Sequence, residues 1–408
     1  MSHAIGIDDV LAARAIIADQ VQRTPMLPSP RLSAATGADV FVKYENMQTT
    51  GSFKERGALV RLSRLGDDER RRGVVTMSAG NHAQAVAYHA ARLGIDATIV
   101  MPETTPLVKV ENTRGFGATV VLHGATLYES AEKAAELVAA EGRTLVHPYD
   151  DAHVMAGQGS VALEMLEETP DLDCLVIPIG GGGLFAGMAV AAKAVRPDIV
   201  LYGVEAALYP SFVNAIDGGD RPVGGPTLAE GIAVKTVGLL TLPIVRDLAQ
   251  DILLVDETAI EDGVNAYATL ARTMAEGAGA AGLAAMLAYP DRFAGRRVGL
   301  VLCGGNIDAR LLASIMIRSL ERQDRIAHLR ITTADRPGLL GVIASLLGSL
   351  GANILEVSHG RLFLDVPAKG VSLDVTVETR DADHTAQVFA ALEAGGYAPR
   401  RIGRRSAT

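Results

Sequence analysis

The sequence has no tryptophan and only two cysteines, Cys174 and Cys303, among its 408 residues. Two cysteines without metal-ligand spacing exclude both a disulfide framework and a cysteine-rich zinc site. Aromatic residues make up 4% of the chain and hydrophobic residues 49%, so a core must consist mainly of Ala, Val, Leu and Ile. This composition is typical of a well-buried globular protein.

Positive charge is also scarce, with 38 basic against 47 acidic residues and a net charge of −9. Nucleic acid and anionic membranes attract cations, so we expect neither as a partner. The basic run at 399–405 is interpreted as a solvated tail because no aromatic residue interleaves it.

Long apolar runs are missing as well, since no uncharged stretch reaches the roughly 18 residues of a membrane span. The first residues include Asp8 and Asp9, where a secretory signal needs a basic start and an apolar stretch. We therefore expect a cytoplasmic protein.

A chain of this length is expected to form two or three domains. Up to about residue 322, apolar β-branched runs alternate with Ala-rich helical patterns. This alternation predicts an α/β region with a mostly parallel sheet. The predicted strands are 97–100, 118–122, 174–179, 200–204 and 297–302, and the predicted helices include 82–93, 128–140, 184–195 and 257–274. Glycine-rich turns follow strands at 78–81, 180–183 and 303–306, and ligands collect at the carboxyl ends of such strands, so one shared site is predicted.

From residue 328 onward the pattern changes to a βαββαβ unit of ferredoxin-like order. Its predicted strands are 329–332, 353–364, 371–378 and 397–402, and its predicted helices are 339–350 and 384–394. The unit is large enough to fold separately.

The first motif of chemical interest is Gly51-Ser52-Phe53-Lys54-Glu55-Arg56-Gly57. Most lysines are solvated surface charges, but Lys54 is predicted just inside a helix N-terminus. The positive end of that helix, together with desolvation, lowers the pKa of an amine toward that of a usable nucleophile. Such a lysine can form an imine with an aldehyde cofactor.

Two further motifs suggest anion sites at helix N-termini. Ser78-Ala79-Gly80-Asn81-His82 follows a strand-like run and suits a carboxylate, although an ordinary helix cap explains it equally well. Gly180-Gly181-Gly182-Gly183-Leu184 suits a phosphate held by backbone N–H groups, and a flexible hinge is the alternative. Its spacing is not that of the dinucleotide-binding fingerprint.

The fourth motif is Cys303-Gly304-Gly305-Asn306, at the end of the last strand of the α/β region. A lone buried cysteine is usually inert packing. At this strand end, however, its thiol can instead be presented to a ring nitrogen.

In the order S-F-K-x-R-G, S-A-G-N-H-A-Q, G-G-G-G-L and C-G-G-N, these motifs resemble the threonine/serine dehydratase branch of the fold type II, tryptophan-synthase-β-like pyridoxal-phosphate enzymes. The resemblance spans roughly residues 5–320. It implies an α/β catalytic region at 1–322 with two open parallel-sheet subdomains, a smaller one at about 49–153 and a larger one at 1–48 and 154–322. It also implies pyridoxal 5'-phosphate as cofactor.

The resemblance further implies residue roles. Lys54 is expected to hold the cofactor and move the substrate's Cα proton. The expected cofactor contacts are Phe53, Lys54, Asn81, Gly180, Gly181, Gly182, Gly183, Leu184, Glu276 and Cys303, with Asn81 on the 3-oxygen, the glycines on the phosphate and Cys303 on the ring nitrogen. The expected substrate contacts are Ser78, Ala79, Gly80, Asn81 and His82.

Three residues, Ala79, Cys303 and Glu205, refine this prediction. Racemases of this kind carry a second serine as the base on the opposite face, and Ala79 occupies that position here. A neutral thiol at Cys303 leaves the ring nitrogen largely unprotonated, which favours loss of the β-hydroxyl. Glu205 matches a metal-binding Glu of some relatives, but the downstream Asp is missing, so no metal is predicted and a buried structural carboxylate is the preferred interpretation.

Thr333–Leu340, with its Asp-Arg-Pro-Gly turn, and Gly351–Ile354 resemble an ACT domain, the small-molecule-sensing module of amino-acid metabolism, here placed at 328–402. The resemblance implies an amino-acid effector site and pairing between subunits, hence a homo-oligomer, dimer or tetramer. The expected effector residues are Asp335, Gly338, Leu339, Asn353 and Ile354. A role in assembly alone is the alternative.

The sequence thus predicts an enzyme that converts L-threonine to 2-oxobutyrate and ammonia, with side activity on L-serine. Two alternatives stay open. One is a dehydratase for serine or 3-hydroxyaspartate, and the other is an amino-acid-binding regulator that keeps the fold without the chemistry.

Overall fold

The computed structural model describes residues 3–360 and 370–402. The chain divides into two compact units between Ile307 and Asp308. This division falls earlier than the expected domain boundary near residue 322, because the helix Ala309–Arg322 groups with the second unit. Each unit is described by itself.

The strands of the described residues, in chain order, are β1 (Met26–Pro28), β2 (Asp39–Tyr44), β3 (Val74–Met77), β4 (Ala97–Met101), β5 (Thr119–Leu122), β6 (Thr144–Leu145), β7 (Cys174–Pro178), β8 (Val200–Ala206), β9 (Asp251–Val255), β10 (Arg297–Leu302), β11 (Ile326–Ala334), β12 (Asn353–Gly360), β13 (Gly370–Glu378) and β14 (Pro399–Ile402).

The α-helices of the same residues are α1 (Ile7–Ile17), α2 (Pro30–Thr36), α3 (Lys54–Ser63), α4 (Asp67–Arg72), α5 (Asn81–Arg92), α6 (Leu107–Gly115), α7 (Leu127–Glu141), α8 (Ala152–Glu168), α9 (Gly183–Val195), α10 (Ser211–Asp217), α11 (Thr241–Leu248), α12 (Glu257–Ala266), α13 (Gly277–Ala288), α14 (Ala309–Arg322), α15 (Leu339–Ser349) and α16 (Ala382–Ala394). Several begin after a side chain that caps the free N–H groups of the first turn, as Asp151 does for α8 and Asp308 for α14. Within the described ranges, no helix is long and apolar enough to span a bilayer.

The first unit contains two open sheets. The larger has the order β1-β2-β10-β7-β8-β9, in which every pairing is parallel except that of the edge strand β1 with β2. The smaller has the order β5-β4-β3-β6 and is parallel throughout. All residues of β4 and β7 are buried, as expected for strands covered on both faces. The predicted α/β architecture with two parallel sheets is confirmed.

Three loops leave the carboxyl ends of these strands. They follow β3 at Met77, β7 at Pro178 and β10 at Leu302. The first and second lead directly into the N-termini of α5 and α9. Sheet topology therefore places the motif loops where ligands of α/β proteins bind.

The second unit contains the βαββαβ sequence β11, α15, β12, β13, α16, β14. Its antiparallel sheet has the order β12-β13-β11-β14, which confirms the ferredoxin-like prediction. Apolar residues of α15 and α16 cover one face of the sheet. The strand predicted at 353–364 is observed over Asn353–Gly360, and the rest of that prediction lies outside the described residues.

One helix prediction was too long. The run 257–274 forms α12 only as far as Ala266, followed by a π-helix at Tyr267–Ala271. Arg272 then adopts a left-handed conformation with φ 57°, which ends the helix. Side-chain periodicity does not reveal such a termination because the following residues are still compatible with a helix.

A fully buried guanidinium holds the start of α3 in place. Arg56 donates two hydrogen bonds to Glu45, both 2.8 Å long, and two to Glu164 on α8, at 2.6 and 2.8 Å. Lys43 on β2, also fully buried, lies 2.7 Å from the same Glu164 carboxylate. Burial alone lowers the pKa of Arg56, but Glu45 and Glu164 raise it above its ordinary value. The network therefore joins β2, α3 and α8 through charges that compensate one another.

We expect Arg56→Ala to lower the free energy of unfolding by about 3–5 kcal/mol, because two buried carboxylates lose their partner. Urea unfolding followed by circular dichroism measures the change. The matched control is Arg71→Ala, whose exposed pair with Asp68 predicts a loss below about 1 kcal/mol. Equal effects of the two variants would contradict the role given to the network.

The Arg56→Ala loss is expected to shrink at acidic pH. Burial raises the pKa of Glu45, but Arg56 outweighs burial and holds it below its ordinary value. In the wild type, this stabilisation is lost as the pH falls through the folded-state pKa. In the variant, the same carboxyl can take up a proton and so avoid an unpaired buried charge.

Candidate active site

Lys54 is the first residue of α3, and its position is fixed by the strand end that carries Cys303. The Phe53 N–H donates to the Cys303 carbonyl at 3.1 Å. Immediately before it, Ser52 forms an isolated β-bridge with Gly304. The predicted imine-forming lysine and the predicted ring-nitrogen partner are therefore adjacent.

The Lys54 amine is in a poorly solvated position. Its Nζ donates to the Pro148 carbonyl at 2.8 Å and lies 5.2 Å from the centre of the Phe53 ring. Burial lowers the pKa of Lys54 to about 8, against the opposing influence of Cys303 and Glu276. A substantial neutral fraction near physiological pH makes this amine a competent nucleophile.

The loop at 78–80 connects β3 to α5 and contains three of the five predicted substrate contacts, while Asn81 and His82 begin α5. The Gly80 N–H donates to Ser78 Oγ at 3.2 Å, and Ala79 is half-buried within the loop. Helix α5 begins at Asn81, so its first N–H groups are available for an anion. The geometry suits a carboxylate at this point.

His82, the next predicted carboxylate contact, is buried and held by a backbone group. Its ring lies 3.1 Å from the Val146 carbonyl, an acceptor, so Nε2 must donate there. Burial, reinforced by Lys54, lowers the pKa of His82 to about 3. The neutral ring then has only an acceptor at Nδ1, so any hydrogen bond from His82 to a carboxylate must come from its backbone N–H.

The four glycines at 180–183 follow β7 and lead into α9. Gly182 is the N-cap with φ 90°, a conformation that favours glycine. A Cβ on Gly181 would lie 2.1 Å from the Tyr149 ring, and Thr241 Oγ1 donates to the Gly181 carbonyl at 2.8 Å. Leu184 is buried in the first turn of α9. The loop places backbone N–H groups at the start of a 13-residue helix, which fits a phosphate.

Cys303 and Glu276 come from two other elements, since Cys303 follows β10 and Glu276 precedes α13. The buried Cys303 thiol donates to the Ala278 carbonyl at 3.6 Å, and burial followed by Glu276 raises its pKa. Glu276 is the N-cap of α13, and its N–H donates to the Gly304 carbonyl at 3.1 Å. Burial raises the pKa of Glu276 to about 7, and a hydrogen bond from Asn81 opposes the rise.

The structure thus brings together the predicted residues of the first unit. Asn81 Nδ2 donates to Glu276 at 2.6 Å, which joins the loop after β3 to α13. The glycine loop reaches Lys54 through the segment Pro148–Tyr149, since Pro148 accepts from Lys54 and Tyr149 packs on Gly181.

Sequence reasoning missed Pro148, Tyr149 and the part played by Asn306. Asn306 Nδ2 donates to both the Thr50 carbonyl and Asn81 Oδ1, each at 2.8 Å. Asn306 belongs to the Cys303–Asn306 motif, so a role in the site could have been predicted for it. Pro148 and Tyr149 belong to no motif, so their roles could not.

Buried polar atoms without a partner among the described residues support a polar ligand at this site. They include Thr50 Oγ1, Ser52 Oγ and His82 Nδ1. Because such atoms are costly unless hydrogen-bonded, a ligand with several polar groups fits here. Pyridoxal phosphate is such a ligand, and the nucleophilic amine, the anion loop and the thiol match its aldehyde, phosphate and ring nitrogen.

Glu205 matches a metal-binding Glu of some relatives, and in this structure its carboxylate accepts hydrogen bonds from the backbone. It accepts from the N–H groups of Phe212 at 2.8 Å and Val213 at 3.1 Å, at the start of α10. Burial raises the pKa of Glu205 to about 7, and these N–H groups oppose the rise. No cluster of potential metal ligands occurs among the residues that the structure describes.

The effector residues of the second unit form two groups. Asp335, Gly338 and Leu339 lie at the N-terminus of α15, where Gly338 has φ 80°. Asn353 and Ile354 lie at the start of β12, beyond the other end of this helix. Eleven helical residues span roughly 16 Å, so one amino acid does not contact both groups within one chain.

Comparisons with known proteins agree with this geometry. The profile of a family described as pyridoxal-phosphate dependent enzymes matches residues 17–304. L-threonine ammonia-lyase from Thermotoga maritima is 40% identical over 401 residues, which cover 98% of this chain and 100% of that protein. The structure of maize serine racemase is similar with a TM-score of 0.72 and 35% identity, covering 79% of this chain and 100% of that one. Processed threonine deaminase isoform 2 from Solanum lycopersicum has a TM-score of 0.73 and 33% identity, covering 76% and 86% of the two chains.

These similarities confirm the predicted fold class of the first unit and the predicted cofactor. The family match includes Lys54, the glycine loop and Cys303, the residues around which the site is built. The chain belongs to the family of pyridoxal-phosphate-dependent enzymes.

Proposed function

We propose that this enzyme converts L-threonine to 2-oxobutyrate and ammonia, with a side activity on L-serine that yields pyruvate. The observation that carries the proposal is the poorly solvated Lys54 amine, which lies beside the Cys303 loop and is linked to the glycine loop through Pro148 and Tyr149. The Thermotoga maritima relative, similar over nearly the whole chain, is named L-threonine ammonia-lyase.

Pyridoxal phosphate, when bound, supplies an electron-withdrawing ring that stabilises negative charge at the substrate's α-carbon. In the proposed mechanism, the glycines at 180–183 and Leu184 would bind its phosphate, and Phe53 would pack beside its ring. Asn81 would donate to the 3-oxygen, and Cys303 and Glu276 would line the ring site. Backbone N–H groups at Ser78–His82, with the Ser78 hydroxyl, orient the substrate carboxylate. Lys54 would take the α-proton, and the β-hydroxyl would leave as hydroxide, so that proton and hydroxide together amount to one water. Hydrolysis of the released enamine gives the 2-oxo acid and ammonia.

Two residues favour elimination over racemisation. Ala79 stands at the position where a base on the second face is needed, and a methyl group has no proton to exchange. The Cys303 thiol has a raised pKa and therefore stays neutral, so it leaves a ring nitrogen largely unprotonated. A weaker electron sink favours prompt loss of the β-hydroxyl.

We expect the purified protein to show visible absorbance from bound cofactor and to produce 2-oxobutyrate from L-threonine. Lys54→Ala is expected to lose the absorbance band of the covalently held cofactor and to lower kcat by at least about 1000-fold, because no other amine replaces Nζ. Lys133→Ala, which removes a lysine paired with Glu136 on the surface of α7, is the matched control for loss of an amine.

A colourless wild-type protein that takes up no cofactor would contradict the proposal and favour a non-catalytic regulator. The substrate is tested by kcat/KM for L-threonine, L-serine and 3-hydroxyaspartate. Threonine is expected to have the highest value, and a preference for either competitor would assign the enzyme to that substrate instead.

The glycine loop gives a second prediction, on cofactor affinity. We expect Gly181→Ala to raise the Kd for pyridoxal phosphate by about tenfold or more, since its Cβ would lie 2.1 Å from the Tyr149 ring and one of the two must move. Titration of the cofactor-free protein measures the Kd. The control is Gly115→Ala, where a Cβ meets nothing within 4 Å, and a similar loss there would contradict a role for close packing in the loop.

We also propose that the second unit, predicted at 328–402, is an ACT domain that senses an amino acid and pairs between subunits. Its ferredoxin-like fold and the glycine at the N-terminus of α15 support this proposal. The separation of Asp335, Gly338 and Leu339 from Asn353 and Ile354 is compatible with a site assembled from two chains. The remaining proposals are a cytoplasmic location, a homodimer or homotetramer, and no nucleic-acid partner.

An effector that differs in affinity for two states must change a measurable equilibrium. We expect L-isoleucine at millimolar concentration to change kcat/KM for threonine or to raise the Tm, with L-valine and L-serine tested alongside. D-isoleucine is the control, because a specific site distinguishes the enantiomers. If none of the three L-amino acids changes either quantity, regulation by these amino acids is wrong.

A further inference from the structure

Three polar side chains from separate loops form a hydrogen-bonded row at the edge of the active site. Asn306, in the loop after β10, donates to Asn81 Oδ1 at 2.8 Å. Asn81, at the start of α5, donates in turn to Glu276 Oε1 at 2.6 Å. Asn306 is exposed on its outer side, whereas the Asn81 and Glu276 side chains are partly buried. We refer to these three residues as the amide relay.

The direction of every hydrogen bond in the amide relay follows from one backbone carbonyl. Asn306 lies 2.8 Å from the Thr50 carbonyl, which can only accept, so the amide nitrogen of Asn306 must face it. The second N–H of that nitrogen points at Asn81, which must therefore present its oxygen. The Asn81 amide nitrogen is then left facing Glu276. The side-chain amide of Asn81, which could otherwise rotate by about 180°, is therefore held in one orientation.

Two glycines leave the space that the amide relay occupies. Gly51 has φ 74°, and a Cβ on it would lie 2.5 Å from Asn306 Oδ1. A Cβ on Gly304 would lie 2.2 Å from Glu276 Oε1 and 3.0 Å from Asn81 Nδ2. The loops on both sides of the relay are therefore shaped around its side chains.

We propose that Asn306 is a positioning residue: by fixing the orientation of the Asn81 amide, it keeps an N–H group directed at Glu276 and so favours the ionised form of that carboxylate. Neither Asn306 nor its carbonyl anchor at Thr50 needs to touch substrate or cofactor for this effect. This inference depends on the proposed function at one point, which is the proposed contact of Asn81 with the 3-oxygen of the cofactor.

The pKa of Glu276 responds to the hydrogen bond from Asn81. Burial raises its pKa to about 7, and the hydrogen bond from Asn81 is the largest opposing influence. The other titratable or charged groups that act on Glu276 are Lys54 on α3, Lys109 on α6, Glu230 in the 3-10 helix Glu230–Ile232 and Cys303 after β10. They are unchanged when Asn306 is substituted, so a shift of the Glu276 titration reports on the relay.

The test is a double-mutant cycle on the full chain with Asn306→Ala, Asn81→Ala and the double variant. The readout is the pH midpoint of the infrared carbonyl band of protonated Glu276, isolated by subtracting the spectrum of Glu276→Gln in each background. We expect Asn81→Ala to raise the midpoint by about one pH unit, because a hydrogen bond to the charged form is lost. Asn306→Ala should give at least half of that shift, and the double variant should match Asn81→Ala.

An Asn306→Asp variant tests the polarity of the relay. Its carboxylate can only accept, so it draws the Asn81 N–H away from Glu276 and also adds a negative charge nearby, and both effects raise the midpoint beyond that of Asn306→Ala. Asn112→Asp, an exposed change of the same charge on α6, is the control and should leave the midpoint in place.

Two results would overturn the proposal: an unchanged midpoint in Asn306→Ala and Asn306→Asp, or a shift from Asn306→Ala that is equally large when Asn81 is already alanine. The infrared midpoint can be read with or without bound cofactor. A protein that takes up no pyridoxal phosphate therefore contradicts the proposed function, whereas an unshifted midpoint contradicts the amide relay.

Discussion

The position of Lys54 depends on the guanidinium of Arg56, two residues further along the chain. A buried Arg normally costs more in desolvation than one ion pair returns, and only good geometry with further hydrogen bonds offsets that cost. Here, Glu45 and Glu164 each accept two hydrogen bonds from Arg56, and Lys43 supplies a second cation to Glu164. Since Glu45 follows β2 and Glu164 belongs to α8, the first turn of α3 is fixed to the larger sheet and to a neighbouring helix. Lys54, the proposed catalytic lysine, lies on that turn.

Lys54 and Arg56 share one helical turn but have opposite electrostatic environments. Arg56 is surrounded by carboxylates, which raise its pKa and keep it charged. Lys54 donates to a neutral carbonyl, that of Pro148, and burial lowers its pKa to about 8. Arg56 can stay charged and Lys54 can stay nucleophilic on the same helical turn because both carboxylates, Glu45 and Glu164, face the arginine. Had Glu45 or Glu164 faced Lys54 instead, its amine would be held in the protonated form.

The sequence allowed prediction of those parts of the site that follow from strand ends and helix starts. Loops at the carboxyl ends of parallel strands meet, so Lys54, Asn81, the glycines at 180–183 and Cys303 could be assigned to one site before the sheet order was known. Tyr149 and Pro148 could not, because their importance arises only when the chain crosses between the two sheets and passes over Lys54 and Gly181. The end of α12 was also missed, since the left-handed Arg272 has no sequence signature of the kind that glycine provides. The role of Asn306 depends on a hydrogen-bond direction that residue types alone do not give.

Helix N-termini also couple anion binding to the protonation of Lys54. Lys54 is itself the first residue of α3, so the positive end of that helix acts on its amine, and burial adds to the preference for the neutral form. A phosphate at the glycine loop and a carboxylate at the start of α5 would compensate that potential and raise the pKa of Lys54. The same side chain is then suited to two successive tasks. Its lowered pKa leaves a neutral fraction when the amine must act as a nucleophile, and its basicity rises once anionic ligands are bound, when it must take a proton from the α-carbon. This order depends on where the helices begin, because those N-termini are the proposed positions of the two anions.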